Sequence, residues 1–172
     1  RMMDNIIDLE IEKVDGILEK IDNDPEDEET KRIERRMWQK IKEKTQQGRR
    51  TGIGITAEGD MLAALGLKYG SDNAIDFSEQ VHQTLAISAY KKSVKLAKER
   101  GPFEIFDFDK EKENSFILRL KSKDEQLYKD MAEYGRRNVS LLTIAPTGTT
   151  SLMAQTTSGI EPVFMPYYKR RR

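Results

Sequence analysis

The sequence predicts a helix-rich α/β fold, and three observations support this prediction. Apolar residues recur at steps of three and four within charged segments, as they do on one face of an amphipathic helix. The run "VSLLTIA", Val139–Ala145, is short, apolar and rich in β-branched residues, which is typical of a strand covered on both faces. Such a strand needs neighbours, and the chain offers few candidates: residues 164–168 first, then "GIGI" and "FEIF".

Residues 1–48 are predicted to form a charged helical hairpin. The first helix carries a stripe of apolar residues at steps of three and four, namely Ile7, Ile11, Val14, Leu18 and Ile21. The pattern breaks at "DNDPEDEE", where Asp24 is the predicted cap and Pro25 the predicted first residue of the next helix. The second helix is predicted to end at Gly48. Its apolar face is formed by Ile33, Met37 and Ile41, beside Trp38.

The segment "GRRTGIGITAEGDMLAALGLKYGS" follows the hairpin. Thr56 is the predicted cap of a short helix that ends near Gly66. The preceding "TGIGI" is too rich in glycine for a helix and is predicted as a loop or a short extended piece. Because residue 57 is alanine, the GxGxxG pattern of a dinucleotide loop is not completed, and the sequence does not predict a Rossmann site.

The longest predicted helix runs from Ser71 to Arg100. Its end is marked by "KERGP", which combines cationic last-turn residues with a glycine and a proline. His82, the only histidine, lies beside the apolar stripe of this helix. Since the chain has no cysteine and His82 has no neighbouring histidine, we interpret it as an ordinary helix residue and predict no metal site.

The stretch from residue 103 to residue 138 contains weaker signals. "FEIFDFD" alternates aromatic and acidic residues, so a short strand and an extended connection are equally compatible with it before a charged loop. A further helix is predicted from Asp124 to Tyr134, with Leu127 and Met131 on its apolar face.

The turn Pro146–Ser151 comes directly after the predicted strand. Gly148 allows a ligand to approach the backbone, and hydroxyls surround the first turn of the next helix, on Thr147, Thr149, Thr150 and Ser151. Free N–H groups and the helix dipole favour an anion such as phosphate at this position. The turn lacks the "GK" pair of a Walker A loop. A phosphate site and a simple capping arrangement both remain open.

Composition limits the classes of partner. Lys plus Arg and Asp plus Glu both number 30, so the net charge is zero and no overall field favours a DNA or RNA polymer or an anionic membrane. No apolar run approaches the roughly 20 residues that cross a bilayer, and the start does not resemble a signal peptide. We therefore expect a cytoplasmic protein. Because the helical pattern is already under way at Arg1 and the sequence stops at "YYKRRR", we expect a segment of a larger protein.

Several blocks of the sequence resemble one family. The blocks "RRNVSLLTIAPTGTTSLMAQTTSGIEPVFMPYYKRR", "GRRTGIGITAEGDMLAALGLKYGS" and "SAYKKSVKLAKERGPFEIFD" resemble the C-terminal part of the catalytic subunit of ribonucleotide reductase, most closely the adenosylcobalamin-dependent class. "MMDNIIDLEIEK" is similar to the segment after the family's central cysteine region. The resemblance implies a ten-stranded α/β barrel, to which residues 49–172 would contribute the last strands and their helices.

The resemblance also implies a role for the turn. The matching loop of the family binds the phosphates of the substrate ribonucleotide, so Thr147, Gly148, Thr149, Thr150 and Ser151 become candidate phosphate contacts. Pro146, which precedes them, is a supporting residue. Gly159 and Glu161, in the matching block "SGIEP", are supporting residues as well. Glu161 is also compatible with a structural carboxylate that accepts backbone hydrogen bonds.

Activity in this family depends on residues that the sequence lacks. Members reduce the ribose through a cysteine thiyl radical, with a redox pair of cysteines and a glutamate. Because this chain contains no cysteine, we assign no catalytic residue to it and expect the isolated segment to be inactive.

The resemblance implies a set of partners for the parent protein. These are adenosylcobalamin, with none expected on this segment alone, a ribonucleotide, a thiol reductant and the rest of the reductase chain. We expect apolar strand surface around Leu141–Ile144 either to be left uncovered or to be covered by self-association of the segment. The alternative function is a non-catalytic helical interaction module in which the Thr-rich turn serves only as a helix cap.

Overall fold

The computed structural model describes residues 1–165, 167, 169 and 171, and these residues contain eight helices. The helices are α1 (Met2–Asn23), α2 (Glu28–Gly48), α3 (Glu58–Ala64), α4 (Asp72–Arg100), α5 (Phe108–Glu111), α6 (Ser115–Lys123), α7 (Glu125–Tyr134) and α8 (Gly148–Ala154). None of the helices in this part of the chain is long and apolar enough to span a membrane.

The chain divides into two compact units. Unit 1 consists of Arg1–Gly52 and Ile87–Leu141, and unit 2 of Ile53–Ala86 and Leu142–Arg172. The α1–α2 hairpin belongs to unit 1, and α3 and α8 belong to unit 2. The 146–151 loop therefore lies in unit 2.

The predicted helices in unit 1 are present with small shifts. In α1, Ile7, Val14 and Ile21 are buried, as the periodicity requires. In contrast, α2 has no buried residue, and its predicted apolar face is exposed at Ile33 and Met37. Periodicity reports which residues share a face, but it does not determine whether a neighbour covers that face.

Side chains cap four of the helices in unit 1, α2, α5, α6 and α7, although not always the predicted side chain, and α1 has no such cap. The prediction of Asp24 as the cap of α2 is wrong, because Asp27 accepts hydrogen bonds from the Glu29 and Thr30 N–H groups. Asn114 caps α6, a helix for which the sequence carried no prediction, and Asp124 caps α7. The predicted end of the long helix α4 is confirmed, with Gly101 at φ 82° directly after Arg100.

The prediction of an α/β fold with a barrel strand is wrong. Within the described residues, strand-type pairing is limited to one isolated parallel bridge between Ile53 and Leu142, where the Thr143 N–H donates to the Ile53 carbonyl at 3.0 Å. A strand requires a ladder of hydrogen bonds with its neighbours, and Ile144, within the predicted strand's apolar run, is 63% exposed. Two further backbone hydrogen bonds join this apolar, β-branched run to the segment before α3, from the Val139 N–H to the Gly48 carbonyl and from the Thr51 N–H to the Ser140 carbonyl, but they do not extend the bridge into a strand.

The other predicted strand partners also do not form strands. Residues 103–107 consist of a turn at Glu104 and Ile105 within irregular backbone, and Phe164 and Met165 also lie in irregular backbone. The rest of the predicted 164–168 strand includes Pro166 and Tyr168, which lie outside the described residues. The described part of the chain is thus helical with irregular connections and does not have the α/β fold that the sequence predicted.

Candidate functional site

The 146–151 loop forms a tight entry into α8. Thr147 precedes the helix with φ 49° and ψ 25°, in the left-handed region that a β-branched residue rarely adopts. This conformation turns the chain from the extended segment into the helix. Pro146, Gly148, Thr149 and Thr150 are exposed, and Ser151 is buried.

The α8 helix begins without a side-chain cap. No side chain accepts a hydrogen bond from its first turn, in contrast to the aspartate and asparagine caps of α2, α6 and α7. The first N–H groups of a helix have no partner within the helix, and here they belong to Gly148, Thr149 and Thr150. The capping interpretation of the Thr-rich turn is therefore wrong, and the turn presents amide donors in the part of the helix where the dipole favours negative charge.

Two of the predicted hydroxyl contacts are used within the protein. The Ser151 Oγ donates to the Gly148 carbonyl at 2.8 Å. The Thr147 Oγ1 lies 2.9 Å from the Thr56 Oγ1 and accepts a hydrogen bond from the Gly159 N–H at 2.8 Å. The exposed hydroxyls in the loop are consequently those of Thr149 and Thr150.

Gly148 leaves open space above the loop. A Cβ added at this residue would meet no atom within 4 Å. The space that a phosphate would need therefore exists next to the amide donors. Gly148 does not have a positive φ, so its backbone conformation does not require a glycine.

The turn at residues 158–162 lies against the same part of unit 2. Gly159 is buried with φ 58°, and its N–H donates to both the Thr147 and the Thr56 hydroxyl oxygens. The Glu161 carboxylate lies close by, since its Oε2 is 2.7 Å from the position that a Cβ on Gly159 would take. Gly159 therefore supports the loop through its backbone, and Glu161 is a neighbour of Gly159.

Sequence reasoning missed three hydroxyl groups at this site. Thr56 was expected to cap α3, but α3 has no side-chain cap and Thr56 instead contacts the 146–151 loop. Thr156 and Thr157 have buried Oγ1 atoms without a hydrogen-bond partner. The sequence offered only a weak signal for them, a clustering of threonines in "GTTSLMAQTTSG", because their burial depends on residues far away in the chain.

A second polar cluster in unit 2 surrounds Glu58. The buried Glu58 carboxylate accepts hydrogen bonds from the Ser78 hydroxyl and contacts the His82 Nε2 at 2.9 Å. These residues line a cavity of about 390 Å³ together with apolar side chains, including Leu62 and Ile160. Among the described residues, no group of three or more His, Cys, Asp or Glu side chains is arranged to hold a metal ion.

Comparison with known proteins relates the whole sequence to one family. The family model described as "Ribonucleotide reductase, barrel domain" matches residues 1–172. The chain is 33% identical over 123 residues to the vitamin B12-dependent ribonucleoside-diphosphate reductase of Mycobacterium tuberculosis, covering 71% of this chain and 15% of that protein.

Two further relatives are also named as ribonucleoside-diphosphate reductases. The vitamin B12-dependent ribonucleoside-diphosphate reductase of Thermoplasma acidophilum is 33% identical over 126 residues, covering 73% of this chain and 14% of that protein. The ribonucleoside-diphosphate reductase subunit alpha of Treponema pallidum is 28% identical over 123 residues, covering 70% and 15%. The match thus spans a small fraction of each relative's length, and the chain belongs to the ribonucleotide reductase barrel-domain family.

Proposed function

We propose that this chain is the part of a ribonucleotide reductase that holds the phosphate groups of the substrate ribonucleotide. The observation that carries the proposal is the uncapped start of α8, where Gly148, Thr149 and Thr150 are exposed and a Cβ on Gly148 would meet no atom within 4 Å. The names of relatives in the same family support a ribonucleoside diphosphate as the substrate class.

Neutral donors would provide the binding energy. The first-turn N–H groups and the helix dipole stabilise an anion, and the exposed Thr149 and Thr150 hydroxyls add donors that rotate to suit the ligand. The proposed contributions of Thr147 and Ser151 to phosphate binding differ from those that the sequence predicted. Their hydroxyls hold the loop in shape, so their contribution to a phosphate comes through the backbone and not through the side chain.

The parent enzyme would convert ribonucleotides into deoxyribonucleotides by thiyl-radical chemistry, with a thiol reductant as the electron source. This chain contains no cysteine, so it would contribute substrate binding and scaffold but not the radical or the redox pair. Ribonucleotide reduction by the purified 172-residue chain with adenosylcobalamin and a dithiol would contradict this assignment.

Adenosylcobalamin, the cofactor proposed for the parent, does not fit the residues described. The only imidazole, that of His82, is engaged by Glu58, and the cavity beside it is about 390 Å³, at the small end of the range for pockets that hold drug-sized ligands. We assign the cofactor to the rest of the reductase chain and derive no step through it here.

Titration with inorganic pyrophosphate tests the phosphate proposal. In amide NMR spectra of the 172-residue chain, we expect saturable shifts centred on Gly148, Thr149 and Thr150. A matched titration with sodium chloride at equal ionic strength controls for screening. Shifts spread over the lysine-rich helix surfaces, with none in the 146–151 loop, would contradict the proposal.

A helical interaction module remains the second candidate function, and one observation favours it. An exposed apolar stripe runs along α2 and consists of Ile33, Met37 and Ile41. Single exposed apolar side chains are normal on a protein surface, whereas a contiguous group of them is typical of an interaction site. Sedimentation of the wild-type chain and of Ile33→Glu tests it. If the stripe mediates association, the wild type sediments as an oligomer and the variant as a monomer; if the α2 stripe has no such role, both sediment alike.

Self-association through unit 2 is a related proposal. Exposed apolar side chains are also present on α8 and after it, at Leu152, Met153 and Phe164. Leu141, which was expected to be uncovered, is buried, so the exposed apolar surface begins at Ile144. Leu152→Glu is expected to reduce association if this surface is responsible, whereas Ile33→Glu is expected to leave it unchanged.

A further inference from the structure

The Thr56 hydroxyl lies where three segments of unit 2 meet. It donates to the Thr157 carbonyl at 3.1 Å and accepts a hydrogen bond from the Gly159 N–H at 3.1 Å. It also lies 2.9 Å from the Thr147 Oγ1. Since a threonine hydroxyl has one proton, which Thr56 gives to the Thr157 carbonyl, Thr147 is the donor in the contact between the two hydroxyls.

This proton arrangement connects Thr56 to the shape of the loop. Thr147 gives its own hydroxyl proton to Thr56 and accepts from the Gly159 N–H, so both capacities of that hydroxyl are used in holding Thr147. A left-handed conformation of a β-branched residue is costly and persists only where the surroundings hold it. The hydrogen bonds around Thr147 supply that restraint.

Other contacts fix Thr56 against the same segments. The Glu58 N–H donates to the Gly159 carbonyl at 3.3 Å, and the Asp60 carboxylate accepts from the Thr157 N–H at 2.8 Å. Gly59 permits a close approach, because a Cβ there would lie 2.7 Å from the Pro162 Cα. These contacts hold residues 58–60 against residues 157–162, and they therefore fix the position of the neighbouring Thr56 hydroxyl next to the loop.

We infer that Thr56 is a positioning residue for the 146–151 loop, an inference that rests on the proposed phosphate-binding function of that loop. Its hydroxyl keeps Thr147 in the left-handed conformation, and Thr147 in turn directs the first-turn amides of α8 into the open space above Gly148. Thr56 does not touch the phosphate. Its effect on affinity passes through the conformation of Thr147.

Pyrophosphate affinity of matched variants of the full 172-residue chain tests this inference. Thr56→Val removes the hydroxyl at nearly constant volume, and Thr56→Ser keeps it. We expect Thr56→Val to weaken pyrophosphate binding about tenfold, the loss that corresponds to one hydrogen bond, and Thr56→Ser to bind as the wild type does. Equal affinities of Thr56→Val and the wild type would overturn the inference.

A conformational readout without ligand separates this inference from the proposed function. The Cα and Cβ chemical shifts of Thr147 report its left-handed backbone, and amide exchange reports the Gly159 N–H. In Thr56→Val we expect the Thr147 shifts to move away from left-handed values and Gly159 exchange to accelerate, with both restored in Thr56→Ser. A general loss of stability would accelerate exchange throughout unit 2 without singling out these residues.

The two proposals can then fail separately. If the wild type does not bind pyrophosphate, the proposed function fails, and the shifts of Thr147 alone decide whether Thr56 holds the loop. If the wild type binds and Thr56→Val changes neither affinity nor the Thr147 shifts, the positioning role fails and the proposed function stands. If Thr56→Val does not fold, Thr147→Val removes the other hydroxyl of the pair, and unchanged affinity in that variant would overturn the inference.

Discussion

The cluster around Asp4 in unit 1 and the 146–151 loop in unit 2 are held by different kinds of polar group. In unit 1, the Asp4 carboxylate is 2% exposed and accepts hydrogen bonds from Arg49 at 2.8 Å and from Arg100 at 2.9 Å. Arg137 and Asn138 also lie within 3.4 Å of it. In unit 2, the 146–151 loop is held by neutral hydroxyl and amide groups.

This difference indicates which polar groups remain available to a ligand. In unit 1, the guanidinium of Arg136 is likewise paired with Glu111 and donates to the carbonyls of Asn138 and Val139. Such buried charges require partners, so they stabilise the folded chain and are not exchanged for a ligand at low cost. The first-turn residues of α8 in unit 2 are instead exposed, and under the proposed function their amides would exchange water for a phosphate.

Removing Asp4 is the strongest test of the ionic cluster in unit 1. Asp4→Ala leaves buried Arg49 without its carboxylate, and we expect a loss of about 3–5 kcal/mol in the free energy of unfolding. Asp8→Ala is the matched control, because the Asp8 side chain is 47% exposed although it also contacts Arg49. It should cost about 1 kcal/mol or less. Urea denaturation measures both; equal losses would show that burial does not govern the cluster.

Gly54→Ala tests the close backbone approach in unit 2. A Cβ at Gly54 would lie 2.2 Å from the Thr143 carbonyl oxygen, so the backbone must shift, at an expected cost of about 1–3 kcal/mol. Gly16→Ala in α1 is the control. No atom lies within 4 Å of its added Cβ, and we expect it to stabilise the helix by about 0.5–1 kcal/mol. Amide exchange at Thr143 should accelerate only in Gly54→Ala, and changes of the same sign in both variants would contradict this reading.

The pH dependence of stability should also differ between the units. Burial raises the pKa of Asp4, but the hydrogen bond and charge of Arg49, with Arg137 and Arg100, lower it overall from its ordinary value of 3.8. A lowered pKa contributes stability that is fully present above the ordinary pKa and is lost as the pH falls through the folded-state pKa.

Acid denaturation checks this sign. We expect the free energy of unfolding of the wild type to fall below about pH 4, with a contribution from Asp4 of at most about 1.4 kcal/mol per pH unit. Asp4→Asn, which cannot titrate, should lose this part of the slope. Gly148→Ala, in unit 2, should retain it. An unchanged acid slope in Asp4→Asn would contradict the assignment.

Gly148→Ala is expected to have the smallest effect on stability. Its added methyl group would occupy open space, so the free energy of unfolding should change by no more than about 0.5 kcal/mol. Pyrophosphate binding should nevertheless weaken, because the methyl group fills the space above the amides. Leu152→Ala, an exposed change later in α8, should leave binding unchanged. Unaltered pyrophosphate affinity in Gly148→Ala would show that a phosphate does not approach there.

The helices were the most predictable part of the structure. The apolar stripe of α1, the long α4 and its end at Gly101, and α7 from Glu125 all follow from periodicity and from end signals a few residues apart. The wrong prediction of the α2 cap shows where local end signals are insufficient. Asp24 and Asp27 are both suitable by type to cap α2, and only the path of the chain selects Asp27.

The candidate site was predictable in position but not in detail. The strand-like run, the glycine and the threonines located the 146–151 loop, and the family resemblance supplied a ligand for it. Nothing local indicated that Thr56 would reach Thr147, a residue 91 positions later in the chain. The same limitation applies to Thr156 and Thr157, whose Oγ1 atoms are buried by tertiary packing.

By itself, the sequence determined the family, the helical segments and the lack of any thiol for radical chemistry within this chain. The tertiary structure alone decided that residues 139–145 form a single strand-type bridge within the described residues, Ile53–Leu142, beside separate backbone hydrogen bonds to Gly48 and Thr51. It also decided that the Thr147 and Ser151 hydroxyls hold the loop while the amides of Gly148, Thr149 and Thr150 stay open. The physical reason is the range of the interactions: helix signals act over one or two turns, whereas strand pairing and hydroxyl partners depend on residues far apart in sequence.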